Sequence, residues 1–170
     1  MTIKASVALR NGLLQGSSVK EQLDGGFIYI YAGAEPADAD TALDMVSTHT
    51  QLAKIAADAV PADSGVTGLT FAASASNGAI AKATAETWAA KINFVGKDSA
   101  QAGVGPLTAV FFRFCKAADN GQAIGDTTTP RIQGSVATSG GDMTLTSVSL
   151  DDNGSNTVGL STFEVRQPAS

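Results

Sequence analysis

The run Phe27-Ile28-Tyr29-Ile30-Tyr31 constrains this chain more than any other feature. Each of its residues is aromatic or β-branched, types that fit a pleated surface and lose side-chain freedom in a helix. Successive side chains of a strand point to opposite faces. Both parities are apolar here, so the run predicts a strand that is either central in its sheet or covered on both sides. Other segments carry a strand signature too: Thr108 to Lys116, rich in phenylalanine, Arg131 to Ala137, Met143 to Leu150 and Thr157 to Val165. In the third of these, Thr144, Thr146 and Val148 alternate with Met143, Leu145 and Ser147. Gly140-Gly141-Asp142 and Asp151-Asp152-Asn153-Gly154 supply turns between them. Earlier in the chain, a turn at Pro61 to Gly65 precedes a strand at Val66 to Phe71, interrupted by Gly68.

Two stretches fit more than one structure. In residues 49–57, Thr50, Leu52, Lys54 and Ala56 alternate with Gln51, Ala53, Ile55 and Ala57, which leans to strand, while Leu52 and Ile55 also suit a helix. Residues 79–95 are alanine-rich and helical by propensity. The hairpin-type dipeptide Asn77-Gly78 and the strand-like flanks favour two strands with a break. Residues 32–44, with Pro36 and three aspartates, read as an exposed loop, and residues 119–130 as a long polar one. Helix is expected only near the N-terminus. Residues 3–14 place Ile3, Val7 and Leu14 on one face beside Ala8, although Gly12 weakens the pattern. Ser18 with Glu21 forms a capping box that opens a helical turn or two at residues 19–23, and Asp24-Gly25-Gly26 closes it.

Several short strands with turn signals between them describe a β-sandwich or barrel. A chain of 170 residues can bury one core without metals or disulfides. The expected organisation is mainly β: an antiparallel β-sandwich domain over residues 25–170, preceded by a helical arm over residues 1–24. Neither a long linker nor a repeat period divides it.

Charged residues are 16% of the chain, well below the usual quarter, and hydrophobic residues 44%. That balance excludes a disordered acidic tail and a coiled coil. The net charge is -5, and the eleven lysines and arginines are scattered; the densest pair, Arg113 and Lys116, lies beside an aromatic run and makes no patch. A partner read through its phosphates needs a basic stripe, so direct nucleic-acid binding is not expected. The apolar runs are too short for a membrane-spanning helix, and Met1-Thr2-Ile3-Lys4 opens no secretory leader, so no membrane partner is expected and synthesis is placed in a cytoplasm.

Groups that carry chemistry are sparse. Cys115, inside Phe111-Phe112-Arg113-Phe114-Cys115, reads as a small buried hydrophobe rather than a nucleophile, since the single histidine, His49, sits in a distant polar stretch. His49 reads as a solvated or hydrogen-bonded side chain. Asp38, Asp40 and Asp44 fall in one loop and Asp151 and Asp152 in a turn; neither group has the layout of a calcium loop, and one His with one Cys builds no zinc site. Gly103-Val104-Gly105-Pro106 contains a GxG without a helix start, and the phosphate-loop pattern is absent. Asn153-Gly154-Ser155 matches a glycosylation sequon but reads as a turn. Trp88, Tyr29 and Tyr31 are candidates for a sugar-binding face, against the commoner role of core aromatics. No catalytic, cofactor-binding or metal-binding residue is therefore assigned, no cofactor is expected, and the chain is not expected to be an enzyme.

Several segments together resemble a group of small virion structural proteins of tailed bacteriophages and prophages. They are Leu9 to Leu14 followed by Leu23-Asp24-Gly25-Gly26 and Phe27 to Tyr31, then the loop Ala34-Glu35-Pro36-Ala37-Asp38-Ala39-Asp40. Gly68-Leu69-Thr70-Phe71, Asn77 to Lys82, Thr87-Trp88, Ala109 to Phe114, and Gly134 through Met143 continue the likeness across most of the chain. Residues 41–50 look longer and more polar than in that group, and residues 93–107 look like an insertion, which touches any interface they would form. The resemblance implies a jelly-roll-like fold that decorates or cements a capsid, or sits at the head–tail junction. It implies the major capsid protein and further copies of the chain, as a dimer or trimer, as partners, and the capsid exterior as location. Residues 1–24 suit an arm that lies on a neighbour.

Overall fold

The Phe27–Tyr31 run is the middle of a sheet. In the computed structural model, which describes residues 3–57, 67–72, 79–99, 105–152 and 156–166, it belongs to a six-residue strand whose first five side chains are buried. In chain order the elements are β1 (Lys4–Ala5), α1 (Val7–Leu14), α2 (Val19–Leu23), β2 (Phe27–Ala32), β3 (Thr50–Ala57), β4 (Ala79–Ala81) and β5 (Trp88–Gly96). Then follow β6 (Leu107–Thr108), β7 (Phe111–Cys115), β8 (Arg131–Ala137), β9 (Met143–Thr144), β10 (Ser149–Leu150), β11 (Thr157–Leu160) and β12 (Glu164–Arg166). Eight strands make one sheet in the order β1-β8-β7-β2-β3-β5-β11, with β9 lying parallel against β8 and every other pair antiparallel. Two antiparallel ribbons, β6 with β10 and β4 with β12, stand apart from it.

The fold is mainly β and sandwich-like, as expected. In the large sheet β8, β7, β2, β3 and β5 pair in unbroken succession. Residues 50–57 are a strand, and residues 79–95 are two strands with a break. Three segments expected as single strands are each divided where the chain leaves the large sheet for a ribbon. Residues 108–116 pass from β6 to β7, with Ala109 N–H donating to Val148 and Val110 N–H to Tyr31. Residues 143–150 pass from β9 to β10, and residues 157–165 from β11 to β12. The described part of the strand expected at Val66 to Phe71 makes only the bridges Gly26–Leu69 and Phe71–Lys82. The expectations at Pro61 to Gly65, Val66, Asn77-Gly78, Gly103-Val104, Asn153-Gly154-Ser155 and the last four residues lie outside the described residues.

The N-terminal segment departs from the expected helix at its start. Lys4 and Ala5 pair with Gln133 and Ile132 of β8, and the helix begins only after Ser6. Ser6 caps it, its hydroxyl oxygen accepting Leu9 N–H at 3.2 Å. The expected capping box is present at α2: Ser18 Oγ accepts Glu21 N–H at 3.1 Å and Glu21 Oε2 accepts Ser18 N–H at 2.7 Å. Leu9 and Leu23 are buried in the main core, so residues 3–24 lie on the sheet of their own chain. Among the described residues, no helix is long and apolar enough to cross a membrane.

The strand alternation sorts side chains into two unlike faces. One carries Ile28, Ile30, Leu52, Ile55, Phe112 and Phe114, packed with Phe71, Trp88 and Phe163. The other carries Phe27, Tyr29, Tyr31, Phe111 and Cys115, covered by Leu43 and Met45. It also carries arginines.

Candidate functional site

Arg113 lies two residues from both Phe111 and Cys115, and so shares their face of β7. Register places Lys54, Tyr29, Arg113, Gln133 and Lys4 side by side across β3, β2, β7, β8 and β1. The neighbouring row is Phe27, Cys115 and Arg131. Arg113, Arg131 and Gln133 are fully buried. A buried guanidinium must find acceptors for its five N–H groups. These two find them in Gln133 of β8 and in the loops that cover the face, residues 33–49 and 116–130.

Arg113 Nε donates to Gln133 Oε1 at 2.9 Å, Nη1 to the Gly121 carbonyl at 2.6 Å and Nη2 to the Thr41 carbonyl at 2.8 Å. Arg131 grips both oxygens of Asp119, Nε to Oδ2 at 2.5 Å and Nη2 to Oδ1 at 2.8 Å, and its Nη1 reaches the carbonyls of Ala123 and Ala39. Burial, then the charge of Arg131, pulls Arg113 below the ordinary arginine range. Burial also acts against the charge on Arg131, but the hydrogen bond and charge of Asp119 outweigh it and hold its pKa up. Arginine stays protonated through shifts of this kind, so both act as fixed cations that tie two loops to one sheet.

The same loops are held elsewhere. Tyr31 Oη donates to the Asn120 carbonyl at 3.0 Å, and burial raises the pKa of this phenol and of Tyr29. Lys4 Nζ and Gln133 Nε2 both donate to Glu35 Oε1 and to the Pro36 carbonyl. Asp40 joins three segments: Oδ2 accepts Val7 N–H at 2.8 Å and its carbonyl accepts Gly125 N–H at 2.7 Å. Lys54 Nζ stands 3.8 Å above the Phe27 ring, a cation–π contact at the margin of the face.

The residues singled out in the sequence are dispersed over this framework. Cys115 is buried, and burial raises its thiol pKa well beyond the reactive range. His49 is buried rather than solvated; its ring nitrogens lie 3.3 Å from the Asp44 carbonyl and 3.0 Å from that of Ala34, and its ring meets Phe111 edge-on at 5.9 Å. Asp38 and Asp44 close turns on their own backbone, accepting the amides of Asp40 and Thr41 and of Val46 and Ser47. Asp152 accepts Phe94 N–H at 3.0 Å. Among the described residues no three acidic, His or Cys side chains are placed to hold a metal ion. Trp88, Tyr29 and Tyr31 do not form an open sugar-binding face: all three are buried, Trp88 on the opposite side of the sheet from the tyrosines.

The loop expected at residues 32–44 as exposed is half built into the structure, with Ala39 and Leu43 buried. The arginine cluster went unseen because Arg113 reads as one of a basic pair beside an aromatic run. Its signal is parity: an arginine on the inward phase of an apolar strand must be met by carbonyls or a carboxylate. Arg131 and Gln133 repeat that phase on β8. Comparison with protein families, with curated proteins and with solved structures yields no match. Fold and site together define a mainly-β module whose buried polar groups brace loops against a sheet.

Proposed function

We propose that the protein is a structural component of a tailed-bacteriophage virion that decorates or cements the capsid by binding the major capsid protein as a homo-oligomer. The observation that supports this reading is the use made of the buried polar groups. Arg113, Arg131, Gln133 and Asp119 are engaged with one another and with loop carbonyls, an arrangement that stiffens a surface. The sequence likeness of most of the chain to small phage virion proteins points the same way. A cement protein needs rigid loops of fixed shape, because a lattice repeats one contact many times and modest contacts per copy then suffice. The exposed apolar side chains Leu14, Val46 and Ile124 are available to such contacts. A net charge of -5 suits an exterior position, away from packaged DNA. The reading assigns no catalysis on a substrate.

Gold-labelled antibody imaging of intact particles tests it. Even labelling of heads is the expected result. Labelling confined to one vertex or to the tail would replace decoration by a neck or tail role. Unlabelled particles would overturn the virion reading.

A further inference from the structure

At the edge where β1 pairs with β8, an amine, an amide, a carboxylate and a buried cation converge. Lys4 and Gln133 are register partners. Lys4 Nζ lies 2.7 Å from Glu35 Oε1 and 2.8 Å from the Pro36 carbonyl. Gln133 Nε2 lies 3.2 Å and 2.9 Å from the same two oxygens. The nucleophilic nitrogen and the amide nitrogen thus share both acceptors. The amide oxygen, Gln133 Oε1, accepts from Arg113 Nε at 2.9 Å. Gln133 is fully buried, and the side chains of Lys4 and Glu35 are only 28% and 22% exposed.

We propose that this cluster cross-links the chain to itself, forming an amide bond between Lys4 Nζ and Gln133 Cδ with loss of ammonia. Glu35 takes a proton from the Lys4 ammonium, and the freed amine attacks Gln133 Cδ. Charge develops on Oε1, where Arg113 already donates an N–H, the position a preorganised oxyanion donor must hold. Protonated Glu35 then returns its proton to Nε2, which it already contacts. The Cδ–Nε2 bond breaks as Glu35, again a carboxylate, takes the second proton from Nζ and passes it to the departing ammonia, which leaves as ammonium, and Nζ–Cδ is the new amide. Atoms and charge balance without oxidant, metal or cofactor. An ion-paired lysine makes the step slow, but it need occur only once per molecule. The product staples the N-terminal strand to β8 covalently. The proposal stands independently of the virion reading.

The test is intact mass and peptide mapping of the full-length protein, freshly purified and after days of incubation at mildly alkaline pH. The expected result is a species lighter by one ammonia, with Lys4 and Gln133 in one branched peptide and no tryptic cleavage after Lys4. Lys4→Arg, which keeps the charge, should form no such species. Glu35→Gln should slow it by about a hundredfold, the usual scale of a positioned proton shuttle. Circular dichroism establishes that both variants remain folded. Absence of the branched peptide in folded wild-type protein overturns the proposal. So does an ammonia loss that maps elsewhere, for example to a succinimide at Asn120-Gly121. Equal conversion in urea would overturn the role given to the folded cluster.

Discussion

The two faces of the central sheet solve burial in opposite ways. On one, Phe71, Trp88, Phe112, Phe114 and Phe163 pack ring against ring, with centroids 5.2 to 6.4 Å apart. Such a cluster gains from area removed from water and from edge-to-face geometry. On the other, Tyr31, Phe111 and Cys115 surround two guanidinium groups that tolerate very little. A buried charge must keep its partners, because losing one strands the other in a low-dielectric site. The apolar face therefore supplies bulk stability, and the polar face supplies definition. It dictates where two long loops lie, through bonds from side chains to loop carbonyls.

That contrast can be broken most forcefully at Asp119. Asp119→Ala leaves Arg131 buried without its carboxylate, and the expected loss is about 3–5 kcal/mol in urea unfolding. The double variant Asp119→Leu with Arg131→Met should lose less than Asp119→Ala alone. A double variant worse than the single one would show that the arginine matters mainly through its bonds to Ala39 and Ala123.

Gly121 sharpens the comparison next. It has φ of 71°, and a Cβ there would stand 2.8 Å from Cys115 Sγ. Gly121→Ala should cost about 1–3 kcal/mol through backbone strain and overlap. Because Cys115 lies under this loop, thiol labelling should also accelerate, while Trp88 fluorescence, on the other face, keeps its native value. Unchanged labelling would mean that the loop does not open separately from the core.

Ser6 is a smaller lever with three bonds. Its hydroxyl oxygen accepts the amides of Leu9 and Arg131, and the hydroxyl donates to the Thr129 carbonyl. Ser6→Ala should cost about 1–2 kcal/mol, the range of a lost helix cap, and calorimetry would read it as a lower Tm.

Acid should separate the two faces most gently. Hydrogen bonds hold three loop carboxyls below the usual range: Asp38 chiefly by the Thr41 hydroxyl, Asp44 by the Ser47 amide and Asp126 by the Thr128 amide. A carboxyl depressed in the folded state contributes stability above its unfolded pKa of about 4 and loses it as pH falls through the folded value. Measured against the intrinsic exchange rate at each pH, protection of the amides of Thr41, Ser47 and Thr128 should be lost first below that pH, ahead of the amides of β2. Simultaneous loss of protection would mean that the loops and the sheet form one cooperative unit.

Local chemistry was legible in the chain where it acts over a few residues. The capping box at Ser18 and Glu21, the glycine-terminated α2, the doubly covered Phe27–Tyr31 strand and the buried thiol of Cys115 each follow from neighbours in sequence. The division of residues 108–116, 143–150 and 157–165 was not, because each break depends on which partner strand is within reach. Arg113 shows the same limit more sharply. Its partners Thr41, Gly121 and Gln133 belong to three separate segments, and no spacing in the sequence marks carbonyl oxygens.

By itself, then, the sequence determined the strand-rich class, the two-sided burial of the central run and the short N-terminal helices, since propensity, parity and capping are properties of adjacent residues. Only the tertiary structure decided the single long sheet, the pairing of Lys4 and Ala5 with β8, and the convergence of Lys4, Glu35, Arg113 and Gln133. Those depend on strand order and register, which bring together groups as distant in the chain as Lys4 and Gln133, and on buried charges that must be satisfied wherever acceptors happen to lie.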